Sequence, residues 1–167
     1  MIYLLRHGET EWNRAGRFQG RLDSPLTPRG REQARRTAEM LQGNIGTTHG
    51  LALCASPLGR ARETAEIVGV ALGLRPYPDA RLAEVTIGSW DGMTVEEVHA
   101  EYPGMLEGTT PFDWYFRSPD GESFEAARQR LMSWLADVED RDVIAVSHGL
   151  SGRLLRGAYL QLPRRET

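Results

Sequence analysis

The chain has 167 residues, a length that suits one domain around one substantial core. A formal net charge of −3 and a pI of about 5.8 exclude the basic footprint of a nucleic-acid binder. All 20 basic residues other than histidine are arginine; a GC-rich genome explains that bias, but the absence of lysine excludes Schiff-base, P-loop and kinase-type lysine chemistry. Any phosphate bound here is held by arginine, histidine, backbone N–H groups or helix dipoles. Cys54 is the single cysteine. It sits among apolar neighbours in Leu51-Ala52-Leu53-Cys54-Ala55, which excludes an intrachain disulfide or thiolate cluster and reads as a buried thiol. Met1–Leu5 is too short for a signal peptide before Arg6 and His7, and no apolar run approaches the ~20 residues of a membrane span, so a cytoplasmic protein with no membrane partner is expected.

Met1–Arg6 reads as a buried strand. His7 to Leu26 is rich in Gly, Arg and Asn and reads as a long functional loop. Thr27-Pro28 supplies an N-cap and a proline at the first helical position, and the helix is expected to run to about Gln42, with Gly43 as its stop. Leu51–Ala55 reads as a second strand. Ser56-Pro57 repeats the cap-plus-proline signal and predicts a helix ending near Gly73, with Ala61, Ala65, Val68 and Leu72 on its buried stripe. Leu82–Trp90 reads as short, extended and glycine-interrupted. Thr94-Val95-Glu96-Glu97 is a capping box for a short helix that Pro103 follows, and Leu106–Gly121 is irregular and aromatic. A long helix is expected over Ser123–Val138, a third buried strand over Asp142–Ser147, and a last helix from about Gly149 to Leu160. Strands alternating with helices predict an α/β protein, a three-layer α/β/α sandwich with a mostly parallel, mixed central sheet. Residues 1–167 read as a single domain, with an insertion over the site at about 85–121.

Two segments at opposite ends of the chain carry the chemistry. Leu5-Arg6-His7-Gly8-Glu9-Thr10 and Val146-Ser147-His148-Gly149 each place a histidine and a glycine after an apolar run, where strands of an α/β protein end and ligands bind. Arginine forks match phosphate oxygens. A neutral imidazole can attack phosphorus and form a phosphohistidine, and nearby Arg6 and Arg60 favour the neutral ring. A carboxylic acid such as Glu84 can protonate the leaving group. Each residue also has an ordinary reading when taken alone. Arg6 and His7 fit a polar strand end, His148 fits a helix cap, one of Arg60 and Arg62 is a solvated helix residue, and most glutamates are surface charges. His49 and His99 lie in polar contexts and read as surface residues. No H-x-x-x-H or C-x-x-C spacing exists, so no metal site and no cofactor are expected.

In combination these residues resemble the histidine phosphatase superfamily, with the phosphoglycerate mutase-like fold. The matching text runs through Leu5-Arg6-His7-Gly8-Glu9-Thr10-Glu11-Trp12-Asn13, Gly16-Arg17-Phe18-Gln19-Gly20, Asp23…Leu26-Thr27…Gly30 and Ala55-Ser56-Pro57-Leu58…Arg60-Ala61…Thr64-Ala65. It continues through Leu82…Glu84…Gly88…Trp90-Asp91-Gly92, Asp120-Gly121-Glu122-Ser123 and Val146-Ser147-His148-Gly149, covering nearly the whole chain in one order. The resemblance implies that His7 is the phosphorylated nucleophile and that Arg6, Arg60 and His148 clamp the transferring phosphoryl group. It implies Glu84 as general acid and then as base for water. Asn13, Gln19 and Gly20 would line the phosphate pocket, with the Gly149 N–H as a further donor. The other nitrogen of His7 is then expected on a backbone acceptor.

Hydrolases and mutases of this kind share the first step. A mutase needs extra cations to retain a bisphosphorylated intermediate, and Val85–Ala127 contains only Arg117 and His99 as basic residues. The same segment holds Trp90, Met93, Met105, Phe112, Trp114, Tyr115 and Phe116, which form either an apolar pocket wall or a small core of their own. The expected function is therefore a metal-independent phosphomonoesterase that takes a small phosphorylated substrate and releases inorganic phosphate. A cofactor-dependent phosphoglycerate mutase is the alternative, and a non-catalytic phosphate-binding module a more remote one. Arg14, Arg17 and Arg21 are expected to steer an anionic substrate. The family continues past a Leu-Pro such as Leu162-Pro163 into a further strand, whereas Arg164-Arg165-Glu166-Thr167 follow here. Either the natural chain is short or a tail follows Thr167; a sheet edge left uncovered in the first case is expected to favour a homodimer or to cost stability.

Overall fold

The computed structural model describes residues 1–110 and 113–167, apart from the side chain of Arg165. Phe112, one of the aromatic residues named above, lies outside the described residues. Strands β1 (Ile2–Arg6), β2 (Ala52–Ala55), β3 (Tyr77–Pro78) and β4 (Val143–Ser147) pair in the order β1-β4-β2-β3, and every strand pair is parallel. Antiparallel pairing occurs among the described residues only as the single bridge between Thr10 and Leu26.

All five residues of β4 are buried. Val143 and Ala145 face a core built with α5 (Phe124–Asp137) and α6 (Gly149–Tyr159), while Ile144 and Val146 face a second core built with α2 (Pro28–Asn44) and α3 (Gly59–Leu72). The strand's period of two is thus divided between two apolar layers, which makes the three-layer α/β/α sandwich. Small residues let the helices approach closely: Ala34 and Ala38 on α2, Ala61 and Ala65 on α3 are all buried.

The caps confirm most of the element boundaries. Thr27 accepts a hydrogen bond from Gly30 N–H ahead of Pro28, and Ser123 accepts one from Ala126 N–H at the start of α5. α2 runs through Gly43 to Asn44, because one exposed glycine costs too little to end a helix that α3 supports. α3 begins at Gly59 with Leu58 at its N-cap and no side-chain cap. Ser56 therefore does not cap it; Pro57 holds Ser56 extended, and its hydroxyl turns inward. The stretch 82–90, expected to be extended, instead begins in one 3₁₀ turn, Ala80–Leu82, and ends in another, Gly88–Trp90.

Among the described residues, the two-residue β3, the single-turn α1 (Glu11–Arg14), which Thr10 caps with a full capping box, and the 3₁₀ turns Trp114–Arg117 and Arg164–Glu166 were not anticipated. The capping box at Thr94 and Glu97 opens α4 (Val95–Glu101) as read from the sequence. Ile87, Trp90 and Val98 form a third, small core, with Phe18, Met93, Tyr102, Leu106, Trp114 and Tyr115 packed on it. Most of the aromatic residues of 85–121 therefore serve this core.

The topology places the site. β1 and β4 are neighbours, with Arg6 beside Ser147 in register. The chain leaves β1 toward α2 on one face of the sheet and leaves β4 into α6 on the other. A crevice opens where two adjacent strands diverge in this way, and His7 and His148 are the first residues beyond their ends.

Candidate active site

His7 continues the β1 ladder through its N–H to Ser147 C=O at 3.0 Å. Its ring Nδ1 lies 2.7 Å from Gly8 C=O. A carbonyl only accepts, so Nδ1 carries the proton and Nε2 presents a lone pair. The tight turn behind it requires glycine: a Cβ on Gly8 would lie 2.2 Å from Gly30 C=O. Burial lowers the His7 pKa to about 4, with the charges of Arg60 and Arg6 adding to the shift, while the Gly8 bond and Asp23 oppose it. The ring is therefore neutral at ordinary pH.

His148 occupies the N-cap position of α6 with no side-chain capping bond, so its ring is not spent on the helix. It stands 5.1 Å from the His7 ring between centroids. Its Nε2 meets Ser56 Oγ at 2.7 Å, and its buried Nδ1 has no partner. Burial, then Arg60 and His7, hold this ring well below the ordinary histidine pKa.

Arg60 is buried on α3, while Arg62 is exposed. Its Nη1 donates to Leu22 C=O at 2.7 Å and Asp23 Oδ1 at 3.0 Å, and its Nη2 donates to Gly20 C=O at 2.9 Å. Of five N–H donors this leaves two, one on Nη2 and one on Nε, which is buried without a partner. Buried orphan donors in a native fold call for a ligand or water. Arg6, at the end of β1, lies over Gly149, where a Cβ would come 3.4 Å from its Cζ.

Thr10 orients two amides. Its N–H donates to Asn13 Oδ1 at 3.2 Å, and its hydroxyl donates to Gln19 Oε1 at 3.0 Å. Both amide oxygens are spent, so both NH2 groups remain to donate. Gly20 takes a left-handed φ of 48°, and a Cβ there would strike the Asp91 carboxylate. Glu84 completes the set. Its carboxylate accepts from Val85 N–H at 2.9 Å, Ser151 N–H at 2.8 Å and Leu150 N–H at 3.2 Å. It therefore sits at the positive end of the α6 dipole.

Arg6, His7, Asn13, Gln19, Gly20, Arg60, Glu84 and Gly149 all line one cavity of about 260 Å³. Phe18, Val85, Ile87, Tyr115 and Leu150 add an apolar wall, and Arg17 and Arg153 also reach it. Of the sequence-derived site residues, only the buried His148 is behind the lining rather than in it. Among the described residues no group of three or more His, Cys, Asp and Glu side chains is placed to hold a metal ion, and no helix is long and apolar enough to cross a membrane.

The histidine phosphatase superfamily (branch 1) matches residues 2–167. The chain belongs to the histidine phosphatase superfamily. A curated relative, "Probable phosphoglycerate mutase GpmB" of Enterobacter sp. (strain 638), is 38% identical over 170 residues, covering 97% of this chain and 75% of its own length. YhfR of Bacillus stearothermophilus superposes with a TM-score of 0.83 at 35% identity, covering 97% of this chain and 80% of that one. A mycobacterial glucosyl-3-phosphoglycerate phosphatase solved with VO3 superposes with a TM-score of 0.75 at 34% identity, covering 96% of this chain and 81% of that one. A phosphatase or mutase activity fits this histidine phosphatase chain and its relatives.

The superfamily motifs located residues that line the cavity and missed those behind them. Asp23, which accepts from both the backbone and the guanidinium of Arg60, and Thr10, which orients the Asn13 and Gln19 amides, stood in the matched text without a role. Ser56, which holds His148, gave only a helix-cap signal. Such residues act through a partner that the fold brings from far along the chain, and no local pattern marks them.

Proposed function

We propose that the protein is a metal-independent phosphomonoesterase for small phosphorylated metabolites, working through a phosphohistidine on His7. One observation carries this reading: His7 donates Nδ1–H to Gly8 C=O and is neutral down to about pH 4, so a bare Nε2 faces a cavity edged by Arg6 and Arg60. In the first step Nε2 attacks phosphorus and forms the N–P bond. The ester P–O bond breaks, its electron pair leaves on the alkoxide oxygen, and protonated Glu84 supplies the proton. In the second step water attacks phosphorus and gives its proton to the Glu84 carboxylate. The N–P bond then breaks toward Nε2, releasing inorganic phosphate and restoring neutral His7.

The two remaining donors of Arg60, the Arg6 guanidinium, the Asn13 and Gln19 NH2 groups and the Gly149 N–H are available to the phosphoryl oxygens. The Glu84 carboxyl is held on the α6 amides, at the helix end that carries the Gly149 N–H.

Hydrolysis is favoured over isomerisation because the three arginines expected to steer an anion, Arg14, Arg17 and Arg21, are already engaged. Arg17 donates to both Glu97 oxygens and to Gly92 C=O. Arg14 pairs with Glu11, and Arg21 donates to Glu84 C=O. The wall facing the leaving group is apolar instead. The mutase reading draws support from the likeness to the Enterobacter relative. Phosphate release from a panel of phosphomonoesters in the presence of chelator, with 3-phosphoglycerate included and its conversion to 2-phosphoglycerate followed in parallel, separates the two. Release that disappears, together with covalent phosphate labelling, in His7→Ala is the expected result. Isomerisation without net release overturns the hydrolase reading, and labelling retained in His7→Ala moves the nucleophile elsewhere.

A further inference from the structure

Glu84 lies on a segment that belongs to no strand or helix, so no ladder fixes its backbone. Four consecutive carbonyls, from Arg81 and Leu82 in the preceding 3₁₀ turn through Glu84, are instead each held by a side-chain donor from a different part of the chain. Arg130 Nη1 on α5 donates to Arg81 C=O at 2.5 Å, and Ser147 Oγ at the end of β4 donates to Leu82 C=O at 2.9 Å. Ser151 Oγ in the first turn of α6 donates to Ala83 C=O at 2.7 Å, and Arg21 Nε donates to Glu84 C=O at 2.9 Å. Arg130 Nη2 also approaches Ser151 Oγ at 3.4 Å. A guanidinium only donates, so the serine hydroxyl is left to donate in its turn.

Ser147 and Ser151 are both fully buried, and neither lines the cavity. The phosphoryl-transfer steps give their hydroxyls nothing to do. They bracket the His148–Leu150 turn at the β4–α6 junction, from which Gly149 reaches the cavity lining. We propose that Ser147 and Ser151 are positioning residues for Glu84: they lock the carbonyls just ahead of it, so that its carboxyl is set against the same junction that holds the phosphoryl group. Ser151 acts twice, since its N–H also donates to Glu84 Oε1 at 2.8 Å. The proposal rests on Glu84 being the general acid.

General acid catalysis matters most for poor leaving groups, and a misplacement of about 1 Å can cost about 100-fold. The test is kcat/KM for an alkyl phosphate and for 4-nitrophenyl phosphate, taken as a ratio on one sample so that the folded fraction cancels. Glu84→Gln serves as the reference and should lower the alkyl-to-aryl ratio by about 100-fold or more. Ser151→Ala should lower it by about 10-fold and Ser147→Ala/Ser151→Ala further, with aryl turnover largely kept. Ser151→Cys, close in size and a weak donor, should fall between wild type and Ser151→Ala, and it carries the test if the alanine variants do not fold. A ratio within about two-fold of wild type in the serine variants, while Glu84→Gln shifts it, overturns the positioning role alone. A ratio unchanged in Glu84→Gln itself removes Glu84 as the acid and the proposal with it.

Discussion

Arg60 shows how one side chain can serve the fold and the chemistry at once. Three of its donors tie the 20–23 loop to α3, and the other two, one of them on the buried Nε, have no protein partner. Lysine has three donors on a single nitrogen and cannot span both tasks. Arg60→Lys should therefore lower kcat/KM by about 100-fold or more and weaken inhibition by inorganic phosphate in parallel. It should also cost about 1–3 kcal/mol of stability through the loop carbonyls left without donors. Steady-state kinetics with phosphate as inhibitor, beside denaturant unfolding, checks both parts. A stability loss with phosphate affinity untouched would confine Arg60 to holding the loop.

Among the elements, legibility followed where the physical signal lies. α2, α4 and α5 announce themselves through Thr27, Thr94 and Ser123, because a cap and the turn it caps are neighbours in sequence. The central strand β4 was readable because burial on both faces leaves a continuous apolar run. β3 was not, since two exposed residues ending in proline carry no periodicity, and they join the sheet only because β2 offers an edge. Ser56-Pro57 misled for a related reason: the dipeptide has the local chemistry of a helix start, but the serine hydroxyl lies 2.7 Å from His148 Nε2, 92 positions away in sequence. Ser56→Ala should accordingly leave α3 intact. It should strand a buried imidazole nitrogen, cost about 1–3 kcal/mol and lower kcat/KM. Hydrogen exchange of the α3 amides, measured beside activity, decides the matter. Faster exchange confined to the first turn of α3 with full activity would return Ser56 to a capping role.

At the scale of the whole molecule, folding buries two imidazoles in their neutral form, which ties global stability to pH. The unfolded chain binds a proton at His7 near the ordinary histidine value of 6.5, whereas the native state holds off until about 4. Above pH 6.5 the ring is neutral in both states and contributes nothing to the pH dependence. As pH falls toward 4 the unfolded state gains a proton that the native state refuses, so stability declines. At pH 4.5 the loss from His7 alone is about 2–3 kcal/mol, a large share of the roughly 5–15 kcal/mol that holds a domain together. His148 shifts in the same direction and adds to the loss. Replacing His7 with glutamine removes one titrating group and leaves every carboxylate in place. Urea unfolding at pH 7 and pH 4.5 should therefore show His7→Gln losing about 2–3 kcal/mol less than wild type between the two pH values. An NMR titration of the native protein should place the His7 midpoint near pH 4. Equal losses in the two proteins would mean that the native His7 ring takes its proton as readily as the unfolded one, which would also remove the neutral nucleophile from the proposed first step below pH 6.5.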